Sequence, residues 1–233
     1  MIIGAPQESN FALNKVYQWL FVEQACQLCH IPSKESICTH CYETLDFNIY
    51  ACPHCAHPSE MGELCKICVS QAFYFDDALA PFLYEGEVKN LVKQIKYSGD
   101  FYALPTLCEP LIQRITVKPD AIVYVPSHES RHHQRGFNQS QILAQHISKH
   151  LHTPIFDWIN RVKSTPTLAQ HSKKQRAKLL KGAFQCHSQV PEHVAIVDDI
   201  LTTGATVNEL SKVLRKKGAK RISIWTLARA VAH

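Results

Sequence analysis

The chain has 233 residues, 45% of them hydrophobic, which is typical of a globular protein. No run reaches the roughly 18 apolar residues of a membrane span, and the apolar stretch at residues 11–22 contains Lys15 and Gln18, so we expect a cytoplasmic protein without membrane insertion. Residues 1–78 hold 3 Lys+Arg and 9 Asp+Glu, whereas residues 79–233 hold 22 and 11, and this net charge of +11 indicates a polyanionic partner or a phosphorylated ligand, or a surplus that only aids solubility.

The first predicted element is a helix within residues 1–24. Its apolar side chains, including Phe11, Val16 and Trp19, share one face, which is typical of a helix that packs on a neighbouring domain. A zinc-ribbon-like domain is predicted at residues 25–72. An α/β domain is predicted at residues 73–233.

Cysteines dominate the second predicted domain. Eight of the ten in the chain form four CxxC pairs, separated by 8, 10 and 9 residues. Each pair can direct two thiolates at one ion, so two pairs complete a tetrahedral zinc site. Disulfides would need an oxidising compartment, and a thioredoxin-like motif uses a single pair, so two structural zinc ions are predicted. The predicted ligands are Cys26, Cys29, Cys38, Cys41, Cys52, Cys55, Cys65 and Cys68. Pairing of sequence neighbours is the simplest arrangement, and an interleaved one is the alternative.

Strand and helix patterns alternate after residue 73. Strands are predicted at about residues 78–84, 121–126, 155–162, 194–197 and 222–227. Helices are predicted at about residues 87–100, 102–115, 138–150 and 206–217, and a polar segment spans residues 163–181. This alternation predicts an α/β fold with a mostly parallel sheet flanked by helices.

The sequence VAIVDDILTTGAT, residues 194–206, runs from a buried strand through two carboxylates into a turn of small residues. Open α/β sheets bind ligands at the carboxyl ends of their strands. Asp198 and Asp199 are placed there to accept hydrogen bonds from vicinal sugar hydroxyls. The following turn offers backbone N–H groups and hydroxyls to a phosphate. Its residues are Thr202, Thr203, Gly204, Ala205 and Thr206. A ribose-phosphate site is therefore predicted.

The same run resembles the 5-phosphoribosyl-1-pyrophosphate (PRPP) motif of type I phosphoribosyltransferases. Together with the CxxC pairs, the segments YEGEVKNLVKQIKYSGD, VPSHESRHHQRGFNQSQILA and RVKSTPTLAQHSKKQRAKLLKGAF are similar to the ComF/GntX family over residues 26–229. The resemblance implies a type I phosphoribosyltransferase-like fold. It also implies PRPP or a ribose phosphate as ligand, with Mg²⁺ accompanying PRPP.

Members of this family are associated with natural transformation, in which they act on incoming single-stranded DNA in the cytoplasm. The resemblance thus implies single-stranded DNA as a partner, and a DNA-import or recombination protein as another. Six residues match the pyrophosphate loop and the mobile hood of the family, or a DNA-binding surface. They are Ser127, Arg131, Arg135, Lys173, Lys174 and Arg176.

Three functions remain open at this point. The first is a DNA-handling protein of transformation that retains a phosphoribosyl pocket. The second is an active phosphoribosyltransferase with an unidentified substrate, and the third is a zinc-containing adaptor for a DNA-import helicase. No residue that would activate an acceptor can be recognised, so the catalytic residues are unknown and enzymatic turnover stays an open question.

Overall fold

The computed structural model describes residues 24–128, 136–163 and 173–231. The predicted N-terminal helix lies outside the described residues. The chain forms two compact units, Met1–Glu43 and Thr44–His233. The boundary falls inside the predicted zinc domain of residues 25–72, between its second and third CxxC pairs. Within the described ranges, none of the helices combines the length and apolar character needed to cross a membrane.

The first unit, as described from residue 24, consists of a cysteine-containing turn and a short helix. The backbone N–H of His30 donates to the carbonyl oxygen of Cys26 at 2.9 Å, and His30 has a φ of 61°. An isolated antiparallel bridge joins Ala25 to Pro32. Helix α1, Thr39–Glu43, then carries Cys41.

A parallel sheet forms the centre of the second unit. The strands in chain order are β1 (Asp77–Leu79), β2 (Phe82–Leu83), β3 (Ala121–Tyr124), β4 (Ile159–Arg161), β5 (Phe184–Cys186), β6 (His193–Leu201) and β7 (Arg221–Arg229). The sheet order is β1-β7-β6-β3, all parallel, and β2 continues beside β7 where β1 ends. The predicted mostly parallel α/β fold is confirmed.

Helices flank this sheet. In the described part of the unit they are α2 (Lys66–Ser70), α3 (Gly86–Lys93), α4 (Leu104–Gln113), α5 (Gln139–Leu151), α6 (Lys173–Leu180) and α7 (Ala205–Lys216). A short 3₁₀ helix covers Glu60–Gly62, and a π-helical turn, Gln94–Ser98, continues α3. Gly99 ends that turn with a φ of 66°.

The predicted edge strand at residues 78–84 is divided by Pro81. Register is kept across the break, because Leu79 pairs with Trp225 and Phe82 with Ala228. Proline has no N–H to donate to a ladder, which explains the interruption. The carbonyl oxygen of Pro81 instead accepts from the backbone N–H of Asn48 at 2.8 Å.

The predicted strand at residues 155–162 is shorter in the structure. Ile155 makes a single parallel bridge with Ile122, and the chain then leaves the sheet. Strand β4 pairs antiparallel with β5 as a separate two-stranded ribbon. The polar segment predicted at residues 163–181 contains α6, and residues 164–172 lie outside the described ranges.

The second four-cysteine group belongs to the core of this unit. Cys52 and Cys55 are buried in the same apolar cluster as the sheet residues, with Phe75 beside them. The buried side chain of Asn48 donates to the carbonyl oxygens of Ala56 at 2.8 Å and Ala80 at 3.2 Å. These bonds fix the cysteine turn to the edge of the sheet.

Candidate functional site

Two adjacent carboxylates lie near the carboxyl end of β6. The strand continues beyond the predicted residues 194–197 as far as Leu201, so Asp198 and Asp199 are inside it. Asp199 is buried and Asp198 is partly buried. The N-terminus of α5 and the π-helical turn both reach this point of the sheet, and each contributes polar side chains.

Three side chains from those elements contact the acids. Ser140 donates its hydroxyl to Asp198 Oδ1 at 2.8 Å. Lys96 Nζ lies 3.1 Å from Asp199 Oδ2, and Gln139 Nε2 donates to the same oxygen at 3.4 Å. Both of these hydrogen bonds to Asp198, from Ser140 and from the backbone N–H of Asp199, end on Oδ1.

The charges of Asp198, Asp199 and Lys96 partly offset one another. Burial, and then the negative charge of Asp199, raise the pKa of Asp198 to about 7, although Ser140 and Lys96 act in the opposite direction. Burial alone would lower the pKa of Lys96, but the charges of Asp199 and Asp198 outweigh it and raise that pKa. Near neutral pH, Lys96 is therefore charged and balances Asp199, while Asp198 is only partly ionised.

The turn after β6 has the geometry expected of a phosphate loop. Gly204 adopts a φ of 75° and is the N-cap of the 12-residue helix α7. Residues with side chains rarely adopt this backbone conformation, which accounts for the glycine. The first N–H groups of a helix have no partner within the helix and favour an anion. Thr202 is exposed and Thr203 and Thr206 are partly buried, so their hydroxyls are placed at the rim of this turn.

The sequence GFNQ, residues 136–139, has a structural role beside the acids. Phe137 packs edge-on against Phe101, and a Cβ at Gly99 would lie only 3.0 Å from the Phe137 ring. Asn138 caps α5 by accepting from the Ser140 N–H, and it donates to the carbonyl oxygen of Val125 at 3.1 Å. The motif thus fixes the start of α5, from which Gln139 contacts Asp199.

Only one of the six residues predicted for the pyrophosphate loop, hood or DNA surface has a described side chain. Ser127 lines a cavity of about 680 Å³ near the ends of β3 and β4, together with Asp157 and Arg161. Arg131 and Arg135 lie outside the described residues. The other three, Lys173, Lys174 and Arg176, lie on α6, and their side-chain contacts are likewise outside the description.

The eight predicted zinc ligands form two compact groups. Within each, the sulfur atoms all lie within 4.8 Å of one another. A tetrahedral site with Zn–S of about 2.3 Å needs sulfurs about 3.8 Å apart, and Cys29 and Cys38 are separated by 3.8 Å, Cys55 and Cys65 by 3.5 Å. Each group combines two CxxC pairs that are neighbours in sequence, not interleaved pairs. Both groups can hold a zinc ion.

The thiol pKa values show why a cation suits these groups. Burial would raise the pKa of Cys26, but backbone N–H groups donate to its sulfur and lower the pKa to about 6. Burial and backbone N–H groups act in the same opposite directions on Cys52, and its pKa is lowered to about 7. Burial and the neighbouring thiols instead raise the pKa of Cys41 to about 12 and that of Cys55 to about 11. Four thiolates cannot form together without a positive ion that offsets their repulsion.

Sequence reasoning did not identify Lys96, Gln139 or Ser140 as site residues. Lys96 recurs with Lys89 and Lys93 in an ordinary pattern of helical lysines. Its partial burial arises only because the π-helical turn directs it towards β6. Gln139 and Ser140 lie within a segment noted in the sequence, but their contacts with residues about 60 positions away depend on the tertiary fold.

Comparisons with known proteins find one domain family and several curated relatives. A family model described as phosphoribosyl transferase domain matches residues 138–232. Competence protein F of Haemophilus influenzae is 32% identical over 212 residues, which covers 85% of this chain and 92% of that protein. DNA utilization protein YhgH of Escherichia coli K12 is 32% identical over 229 residues, covering 91% of this chain and all of the relative.

Two further matches are more distant. Competence protein ComFC of Bacillus subtilis is 25% identical and covers 96% of this chain and 93% of its own length. A solved structure of a purine phosphoribosyltransferase from Pyrococcus horikoshii aligns with 56% of this chain and 88% of its own chain, at 19% identity and a TM-score of 0.36.

Proposed function

Since the chain belongs to the ComF/GntX family, we propose that it is a competence protein of natural transformation that handles incoming single-stranded DNA in the cytoplasm. Its α/β domain binds PRPP or another ribose 5-phosphate at the turn after β6, with Mg²⁺ when the ligand is PRPP. Zinc ions at the two four-cysteine groups are structural. A DNA-import or recombination protein is the expected protein partner.

The observation that carries the ribose-phosphate proposal is the joining of two acceptor carboxylates to a helix N-terminus by one short turn. Asp198 Oδ2 is the proposed acceptor for a sugar hydroxyl, and the backbone of Thr203, Gly204 and Ala205 leads into α7. A ligand held here needs hydroxyls at one end and an anion at the other. Ribose 5-phosphate has both.

The neighbouring charges also suit an anionic ligand. Two fully ionised carboxylates would repel a phosphate or pyrophosphate, but Lys96 pairs with Asp199 and the raised pKa of Asp198 keeps it partly protonated. The acid pair therefore adds little negative charge. The α7 dipole then attracts the phosphate without an opposing field.

Calorimetric titration with ribose 5-phosphate, and with PRPP plus Mg²⁺, tests this proposal. Asp198→Ala removes this acceptor, and loss of a hydrogen bond costs about 0.5–1.5 kcal/mol for a neutral group and about 1.5–3 kcal/mol for a charged one, so affinity should fall several-fold or more. Glu87→Gln, an exposed substitution on α3, serves as control and should bind like the wild type. Equal affinity of a folded Asp198→Ala variant and the wild type would refute the site.

The DNA-handling proposal is supported by the net charge of +11 in residues 79–233. If Lys/Arg side chains neutralise a phosphate backbone, the logarithm of affinity falls linearly with the logarithm of salt concentration, by about 0.7 per phosphate for single strands. Replacing Lys173, Lys174 and Arg176 with Glu should weaken oligothymidylate binding several-fold and make this slope shallower.

A triple Glu variant at Lys216, Lys217 and Lys220 makes the same change in charge where α7 ends and β7 is about to begin. We expect it to have a clearly smaller effect on oligothymidylate binding. Affinity that depends neither on salt nor on the first triple substitution would refute the nucleic-acid proposal, whatever the result with ribose 5-phosphate.

An active phosphoribosyltransferase is the second candidate. The supporting observation is the cavity of about 680 Å³ that contains Ser127 and Asp157, because it lies where β3 ends and offers room for an acceptor. Release of pyrophosphate from PRPP by the wild type, but not by Asp198→Ala, would establish turnover. Binding without release across nucleobases, amines and oligonucleotides would favour a binding protein.

A further inference from the structure

A single buried arginine connects the second four-cysteine group to the turn after β6. This turn, residues 202–206, is called the phosphate turn below. Arg229 is the last residue of β7 and is only 6% exposed. Its Nε donates to the carbonyl oxygen of Cys55 at 3.1 Å. Its Nη1 donates to the carbonyl oxygens of Leu201 at 2.8 Å and Ala230 at 2.6 Å, and also to that of Thr202.

Three of these acceptors, in Cys55, Leu201 and Thr202, belong to two functional segments. Cys55 is the second ligand of the CxxC pair that begins the second group. Leu201 ends β6, and Thr202 begins the phosphate turn. The planar guanidinium presents its donors in a fixed fork, so the carbonyl oxygens it contacts are held at fixed relative positions. A shift of the cysteine turn would therefore be felt directly at the start of the phosphate turn.

Apolar contacts reinforce the connection. Phe73 and Phe75 follow the second group in sequence, and their stacked rings lie 4.9 Å apart. Gly204 faces these rings, since a Cβ placed there would lie 3.6 Å from Phe73 and 3.9 Å from Phe75. A cavity of about 260 Å³ between the cysteine turn and the phosphate turn is lined by both rings and by Arg229.

The charges of the two groups are complementary. Four thiolates around Zn²⁺ carry a net charge of two negative units. A buried cation without a counter-charge is costly, as is a buried anion. The metal-loaded group and Arg229 thus stabilise each other, and loss of the metal leaves the guanidinium without its compensating charge.

We infer that Arg229 is a positioning residue that couples metal occupancy of the second four-cysteine group to the conformation of the phosphate turn. The inference rests on the proposed ribose-phosphate function for its ligand. Coupling between two binding sites is reciprocal. Metal at the second group therefore strengthens ribose-phosphate binding, and ribose phosphate retards loss of that metal.

The first four-cysteine group provides an internal control. It has the same ligand types and the same pairing of CxxC turns, but it belongs to the other unit of the chain. Coupling through Arg229 predicts that ribose phosphate protects one zinc ion of the two. General stabilisation of the whole protein by ribose phosphate would instead slow the release of both zinc ions.

Zinc-release kinetics in the full-length protein test the coupling. Zinc is transferred to a chromogenic chelator with and without saturating ribose 5-phosphate, and Cys26→Ser/Cys29→Ser leaves only the second group loaded. We expect the ligand to slow release from the second group about tenfold or more and to change release from the first group less than twofold. Equal rates with and without bound ligand at the second group would overturn the inference.

Variants at two arginines separate coupling from simple stabilisation. Arg229→Met should release the second zinc quickly whether or not the ligand is present, and Arg229→Lys, which keeps the charge but loses the fork, should restore only part of the protection. Arg215→Met is the matched control, because Arg215 also donates to a backbone carbonyl, that of Tyr74 at 3.0 Å, and pairs with Asp76. Arg215→Met should keep the ligand effect even if it lowers the melting temperature.

Hydrogen exchange supplies a readout that needs no ligand. Stripping zinc from the second group should accelerate amide exchange across residues 201–206 in the wild type. In Arg229→Met this segment should exchange fast already and respond little to zinc. If ribose 5-phosphate fails to bind, the proposed function falls while this measurement still decides the coupling. Amide exchange across residues 201–206 at the same rate with and without zinc in the wild type would refute the coupling.

Discussion

The two four-cysteine groups share one local design and differ in their surroundings. Each begins with the sequence ACxxCxxP, which recurs after 26 residues. In both, the residue after the second cysteine has a positive φ, 61° at His30 and 54° at Ala56. In both, its N–H donates to the carbonyl oxygen of the first cysteine, at 2.9 Å and 2.8 Å. Yet His30 is exposed, whereas Ala56 is completely buried.

This difference shows that the same cysteine turn can be either exposed to water or buried against a neighbouring domain. A histidine side chain after the cysteine pair suits a turn open to water. An alanine there allows the sheet domain to cover the turn, and Asn48 and Arg229 then bond to its carbonyl oxygens. A zinc ion held by the first group would stabilise its own unit. A zinc ion held by the second group would stabilise the domain that contains the candidate ligand site.

The largest expected effect comes from removing ligands of each group in turn. Structural zinc contributes about 10–16 kcal/mol of binding free energy, against a total stability of about 5–15 kcal/mol for a typical domain. Cys65→Ser/Cys68→Ser should therefore shift the unfolding transition of the α/β domain to a much lower temperature. Cys38→Ser/Cys41→Ser should lose one zinc ion and leave that transition in place, as judged by calorimetry and elemental analysis. An equal loss of α/β-domain stability in both double variants would contradict the difference between the two groups.

Exchanging the residue that differs between the two turns should have an intermediate effect. Ala56→His places a large polar ring at a fully buried position, and such overpacking costs about 1–3 kcal/mol. The melting temperature should fall by about 2–4 °C for each kcal/mol in a domain of this size. His30→Ala is the matched change in the first turn and should leave the melting temperature of the α/β domain unchanged. A neutral Ala56→His variant would contradict burial of the second turn.

A further expected effect is a pH dependence confined to the α/β domain. The pKa of Asp198 is raised to about 7 from an ordinary 3.8, so the folded state binds more protons than the unfolded state between these values. This carboxyl therefore lowers stability as pH rises from about 4 to about 7. Asp198→Asn removes the penalty and should raise the melting temperature more at pH 8 than at pH 5. A pH-independent effect would mean that burial does not shift this group.

Much of the fold follows from local pattern. Residues 194–197 are a continuous apolar run and residues 222–227 are mostly apolar, and an amphipathic helix separates them. This pattern suffices to predict two parallel neighbours and the helix between them. The acids and the glycine turn could also be placed, because their position after a buried strand puts them at the carboxyl edge of the sheet. These predictions depend on residues that are close together in the sequence.

The parts that could not be predicted depend on distant residues. Arg229 is the last residue of the buried strand β7, and nothing local in the sequence indicates that its guanidinium contacts Cys55, 174 positions away. The ion pair of Lys96 with Asp199 likewise joins two elements whose approach depends on packing of the whole domain. The ACxxCxxP repeat was visible in the sequence, and the change from His30 to Ala56 was the one signal that the second turn is covered.

Native-state hydrogen exchange of matched amides tests the central claim most directly. The amides of Cys26 and Cys52 make equivalent bonds, to the carbonyl oxygens of Ile31 at 2.9 Å and His57 at 2.8 Å, so any difference in their protection reports how each unit opens. In the zinc-loaded protein, we predict that Cys52 exchanges with the same opening free energy as the core of β6, and that Cys26 exchanges through a separate opening of lower free energy. Identical protection of Cys26 and Cys52, or opening of Cys52 independently of β6, would contradict the account.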